Sequence, residues 1–105
     1  MQDTGVKDRI LIVEDDADIN RLLCKILQRG GYFPEQAFSG TEARLMLMAN
    51  TYDLVLLDLM LPGMTGEEVL DYIRNERKLP LPVIILSAKG SLKDRVWLLL
   101  DGADD

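Results

Sequence analysis

The 105-residue chain contains no histidine. That absence removes Ser–His and Cys–His nucleophile pairs, histidine metal sites and phosphohistidine carriage by this chain. Its single cysteine, Cys24, excludes an internal disulfide. The longest apolar runs are about five residues, far short of the roughly 20 that span a bilayer. No apolar signal core follows Met1, and a cytoplasmic location is the default expectation. Positive charge is also scarce: 12 Lys and Arg face 18 Asp and Glu, for a formal net charge of -6. Neutralising phosphates needs a basic face, so binding to nucleic acid through bulk charge is not expected. The chemistry left to the chain rests on carboxylates, hydroxyls and lysines.

What is present fits a small globular domain. Hydrophobic residues make up 48% and charged residues 29%, which argues against disorder. Residues 1–8 read as a polar tail and 9–105 as one domain. Short apolar runs alternate with helical patterns. Ile10 to Val13 reads as a strand buried on both faces. Ile19, Leu22, Leu23, Ile26 and Leu27 form one helix face, stopped by Gly30-Gly31. Tyr32 to Phe38 is a weak strand that Pro34 marks as an edge. Gly40-Thr41 opens a helix running to about Asn50. Asp53 to Leu57 is a second clear strand, followed by the turn-rich Leu61-Pro62-Gly63-Met64-Thr65-Gly66. Glu67 to Glu76 is a helix with acids in its first turn. Val83 to Leu86 is a third clear strand, and Ser91 to Asp101 a last helix capped by Gly102. This alternation predicts an α/β fold with a doubly wound parallel sheet and right-handed crossovers.

The two clearest strands end in acid. Glu14-Asp15-Asp16 follows the first, and Asp58 follows the second. Ligands of an open parallel sheet bind outside the carboxyl ends of its strands. If these strands are neighbours, their carboxylates converge there, at a cost unless a cation neutralises them. Hard oxygen ligands suggest Mg2+. Each residue also has a plainer reading. Asp58 alone could be a strand-ending aspartate that starts a turn. Asp15 and Asp16 could be helix caps, the preferred reading for Asp16 but not for Asp15. Glu14 could be a solvated strand-end charge rather than a metal ligand through water. Ser87 could be a loop or cap serine, and Lys89 a solvated loop residue. Cys24 reads as a packed residue without a redox role, and Met46 and Met48 as core filler. Trp97 reads as a half-buried helix residue or a contact point for another chain.

Taken in order, four motifs are recognisable: Ile10-Leu-Ile-Val-Glu14-Asp15-Asp16, Asp53-Leu-Val-Leu-Leu-Asp58-Leu-Met-Leu-Pro62-Gly63, Pro82-Val-Ile-Ile-Leu-Ser87-Ala88-Lys89 and Gly102-Ala-Asp-Asp105. Through them, residues 9–105 resemble the receiver domain of a two-component response regulator of the winged-helix transcription-regulator type. The resemblance implies a flavodoxin-like sheet of order 2-1-3-4-5, cut here to 2-1-3-4 because the fifth strand and helix would lie beyond Asp105. It makes Asp58 the acceptor of phosphate from a sensor histidine kinase. It assigns Mg2+ to Glu14, Asp15, Asp58 and the backbone carbonyl of Met60, with Asp15 the direct ligand of the acidic pair. It gives Ser87 a contact with the phosphoryl group and a part in switching. The family's essential lysine would also lie beyond Asp105, and Lys89 is in the wrong place to replace it.

Two functions of different class are therefore expected. One is a phosphorylation-dependent switch whose last helix controls dimerisation or an output domain, with self-phosphorylation from small donors and self-dephosphorylation as its only enzyme-like activities. The other is a truncated fragment that forms a constitutive oligomer, by edge pairing or by exchanging elements between chains, and does not switch. Neither implies binding to a membrane, or to DNA without an output domain. An aspartate-nucleophile phosphatase is disfavoured because Asp58-Leu59-Met60 lacks a second aspartate two residues on.

Overall fold

The computed structural model describes residues 8–86. The polar tail before Asp8, Ser87, Lys89, the expected last helix, Trp97 and Gly102 lie outside them. In chain order the elements are β1 (Arg9–Val13), α1 (Ala17–Arg29), β2 (Phe33–Ala37), α2 (Gly40–Ala49), β3 (Leu54–Asp58), α3 (Gly66–Asp71), a π-helical turn (Tyr72–Glu76) and β4 (Val83–Leu86). All strand pairs are parallel, in the order β2-β1-β3-β4. This is the flavodoxin-like arrangement that the alternation and the resemblance imply.

Successive strand residues face opposite sides of the sheet. Leu11, Val13, Val55, Leu57, Val83 and Ile85 pack on one side with Ala43 and Leu47 of α2 and Val69 of α3. Ile10, Ile12 and Leu56 pack on the other with Leu23, Cys24 and Leu27 of α1. Both faces are covered, which is why β1 and β3 read as continuous apolar runs.

β2 is an edge, as Pro34 signalled. The Phe33 N–H donates to Asp8 O at 2.9 Å, so residues 33, 35 and 37 point their N–H groups towards β1. Position 34 faces outward, where proline removes a donor that could template another strand.

Three expectations need adjustment. The helix expected over 67–76 is α3 followed by a widened turn, in which the Arg77 N–H donates to Tyr72 O at 2.9 Å. The chain leaves that turn through Lys78 at φ 51°, with a Leu79 N–H to Ile73 O bond of 2.8 Å. The predicted stripe on α1 is only partly buried: Leu22 and Ile26 are 58% and 54% exposed, and Ile19 is exposed too. The side of α1 that meets the sheet is rotated onto Asn20, Leu23, Cys24 and Leu27. Cys24 is half-buried in that packing, as expected. Met46 packs against the core, but Met48 is exposed. Ala43 and Leu47 set the buried side of α2, and Met48 stands about 100° of helix rotation from Leu47.

The amino-terminal pole of the sheet is tied by polar contacts. Arg9 Nη2 donates to Glu35 Oε2 at 2.5 Å, and the Tyr52 hydroxyl donates to Glu35 Oε1 at 2.6 Å. The Arg9 N–H donates to Asp53 Oδ2 at 2.7 Å. The guanidinium lies 5.0 Å from the Tyr52 ring centroid. Burial, then the bond to Glu35, pushes the Tyr52 hydroxyl up to about 12. The same bond, with help from Arg9, holds the Glu35 carboxyl below its usual range. The three strands are thereby fixed in register, and their other ends emerge side by side.

Candidate functional site

At the carboxyl pole, Val13 is paired with Leu57, so Glu14 and Asp58 leave adjacent strands at the same level. Both are buried, each at 4% exposure, while Asp15 is exposed. One carboxylate oxygen from each of Glu14, Asp15 and Asp58 lies within 4.8 Å of the other two. With Met60, Thr65 and Glu67 they line an open cleft of about 560 Å³. A smaller cleft of about 310 Å³ at the opposite pole, beside Tyr52, Asp53, Arg77 and Leu79, holds no comparable group of carboxylates.

Backbone donors hold the buried acids. The Met60 N–H donates to Asp58 Oδ1 at 3.1 Å, so Asp58 does begin the turn that its plainer reading foresaw. The Asp16 N–H donates to Glu14 Oε2 at 3.0 Å. Burial pushes the Glu14 carboxyl up from 4.5 to about 7; the Asp16 bond opposes the rise, and the nearby Asp58 adds to it. Glu14 is therefore no solvated strand-end charge. It is a buried acid that keeps its proton to a higher pH than an exposed glutamate does.

Asp16 does what a cap does. Its Oδ1 accepts from the N–H groups of Asp18 at 3.0 Å and Ile19 at 3.1 Å, starting α1. It takes no part in the carboxylate group. Met60 contributes its backbone at the rim of the site, and its side chain is exposed. Ser87 follows the last described residue of β4, and its side chain is outside the described residues.

Two residues that build the site were not singled out from the sequence. Gly66 opens α3 directly against the end of β3: its N–H donates to Leu59 O at 3.2 Å, and a Cβ there would collide with the backbone of Asp58 and Leu59. Its place in a turn-rich loop masked this packing role. Asn20 is fully buried. Its Nδ2 donates to Glu14 O at 2.9 Å and to Ala37 O at 3.1 Å. A polar residue three, four and seven positions before Leu23, Cys24 and Leu27 was the available signal.

Comparison with known proteins agrees with this architecture. The family described as the response regulator receiver domain matches residues 10–105. The transcriptional regulatory protein ResD of Bacillus subtilis is 43% identical over 97 residues, which cover 92% of this chain and 40% of that protein. The phosphate regulon transcriptional regulatory protein PhoB of Escherichia coli is 40% identical over 98 residues, covering 92% and 43%. The chain thus spans about two fifths of the length of these curated relatives. Among solved structures, a Francisella response regulator receiver domain aligns with a TM-score of 0.81 at 31% identity, over 94% of this chain and 81% of that one. The response regulator TrrA of Thermotoga maritima, solved in complex with Mg2+ and BeF, aligns with a TM-score of 0.76 at 37% identity, over 86% and 79%.

Proposed function

The chain belongs to the response regulator receiver domain family, and on that premise we propose that Asp58 is its phosphoacceptor, charged by a sensor histidine kinase in a Mg2+-dependent step. Receiver domains are phosphoacceptor switches rather than turnover enzymes. The observation that carries the assignment is the convergence of Glu14, Asp15 and Asp58, two of them buried, at the carboxyl ends of adjacent strands.

The donor set fits Mg2+. Three hard carboxylate oxygens lie within reach of one ion, and two of the three carboxylates are buried, where uncompensated negative charge is costly. Glu14, Asp15, Asp58 and the Met60 carbonyl would hold the ion. Bound there, it supplies positive charge that offsets both the carboxylates and the phosphoryl oxygens. The rest falls to the chain. The Met60 N–H orients the Asp58 carboxylate by holding Oδ1. A free Asp58 oxygen attacks phosphorus in line: an O–P bond forms, the P–N bond of the donor phosphohistidine breaks, and the released imidazole nitrogen takes up a proton. The product is an acyl phosphate. The Ser87 hydroxyl donates to a phosphoryl oxygen and carries the change outward. Small acyl phosphates serve as alternative donors, and water cleaves the acyl phosphate in self-dephosphorylation.

The wider setting follows from the same reading. The domain acts in the cytoplasm, within a longer transcription regulator, and dimerises through its last-helix or exposed-edge surface. DNA is contacted only by an output domain, and there is no membrane partner. None of the described helices is long and apolar enough to cross a membrane. Intact mass after incubation with Mg2+ and a small acyl phosphate tests the assignment, on this chain and on one continued past Asp105. A single phosphoryl group on wild type that is missing from Asp58→Asn is expected. Equal labelling of the Asn variant, or none on the continued wild type, overturns it.

A further inference from the structure

Asn20 has contacts that packing alone does not explain. It is completely buried on α1, one turn after the Asp16 cap, among the apolar residues Leu23, Cys24 and Leu27. Both acceptors of its Nδ2 sit at the ends of strands. Ala37 O already receives the Glu14 N–H at 3.1 Å, the last rung of the β1–β2 ladder. Glu14 O points to the same side, and in a parallel ladder its next donor would be the N–H of Ser39. However, β2 ends at Ala37, and the chain turns through Ser39 into the cap of α2. The Asn20 amide fills that place at 2.9 Å. Its Oδ1 is buried without a partner. A buried acceptor left unmet is a cost to folding that an apolar residue of similar size would not carry.

We propose that Asn20 is a positioning residue for the acidic site: its amide extends the ladder by one rung and fixes the backbone from which the Glu14 and Asp15 carboxylates project. The inference rests on the reading of Glu14, Asp15 and Asp58 as the Mg2+ site. Without the rung, the Glu14 carbonyl is free to rotate and the turn from β1 into α1 loosens. The acids then meet the ion in several arrangements instead of one. Ligand order is what partners of ligating groups provide, and their loss typically weakens metal affinity.

The test is a Mg2+ titration of the full chain, followed by NMR shifts of the backbone amides around Asp15 and Asp58. Wild type, Asn20→Ala, Asn20→Leu and Leu23→Ala are compared, with urea stability measured on the same samples. Leu23→Ala loosens the same helix on the same face, and a leucine side chain has no N–H to donate to either carbonyl. Both Asn20 variants are expected to bind Mg2+ about tenfold more weakly, and Leu23→Ala to bind it as wild type does despite lower stability. Asn20→Leu removes the orphan acceptor and fills the space, so it keeps the variant set informative if the alanine variant unfolds. Affinity within twofold of wild type in a folded Asn20 variant overturns the proposal, as does an equal loss in Leu23→Ala. Wild type that binds no Mg2+, or that binds it no better than Asp58→Asn, fails the site assignment itself and the proposal with it.

Discussion

Consider the stability of the metal-free protein as pH rises. The Glu14 carboxyl ionises at about 7 in the folded chain and near 4.5 once unfolding exposes it. Below 4.5 it is protonated in both states and contributes no penalty. Between 4.5 and about 7 the unfolded chain has lost that proton while the folded chain keeps it, so stability falls as pH rises. Above about 7 the loss is complete, because the folded protein then holds a buried anion beside Asp58. The distance from 4.5 to about 7 corresponds to roughly 3 kcal/mol. That is a large part of the roughly 5–15 kcal/mol that holds most domains folded. Above about pH 5.5, once ordinary carboxylates have ionised, the window is clean, since the chain has no histidine and no other side chain ordinarily titrates there. Urea unfolding followed by circular dichroism, at steps from about pH 4.5 to about pH 8, measures the slope directly. Glu14→Gln should abolish it and be the more stable protein at the upper end. Saturating Mg2+ should flatten the wild-type curve, because the ion binds the ionised form. A wild type with no fall in stability across this window, or a Gln variant that keeps the fall, would refute the electrostatic reasoning.

Three further outcomes are expected. Asp15→Ala should abolish Mg2+ shifts at nearly unchanged stability, whereas Asp16→Ala should cost about 1 kcal/mol through loss of its cap and leave Mg2+ affinity close to wild type; a calorimetric titration beside a urea curve separates them. Gly66→Ala should destabilise by about 2 kcal/mol, because the new methyl meets the backbone of Asp58 and Leu59, and a lowered denaturation midpoint would register it. Tyr52→Phe retains the ring beside Arg9 but removes the hydroxyl from Glu35; a loss of about 1 kcal/mol and a rise in the Glu35 ionisation point, read by NMR, should accompany it.

Much of the fold is written in local pattern. The runs Ile10–Val13 and Leu54–Leu57 are apolar on every residue because both faces of each strand are covered. Pro34 announced an edge because only an outward position tolerates a missing donor. Asp58, Glu14 and Asp15 were found because they end such runs, and a doubly wound topology brings strand ends together. Period and strand order are properties that a one-dimensional string carries.

The tertiary structure decided what depends on distance between segments far apart in the chain. The apolar set on α1 is wider than the surface the described sheet offers it, so the pattern could not say that Asn20, Leu23, Cys24 and Leu27 turn inward while Leu22 and Ile26 stay exposed. Met48 and Met46 differ in burial though both are methionines on one helix, because their rotation relative to Ala43 and Leu47 differs. Glu14 and Asp58 stand 44 positions apart in the chain, and only their shared level on β1 and β3 turns two ordinary acids into a coupled, buried pair. Gly66 and Asn20 tell the same story: a missing methyl and a single amide acquire their purpose from the backbone they approach. Residue type and spacing determine which chemistry the chain can offer; packing determines which groups meet, how dry they are, and hence how strongly they act.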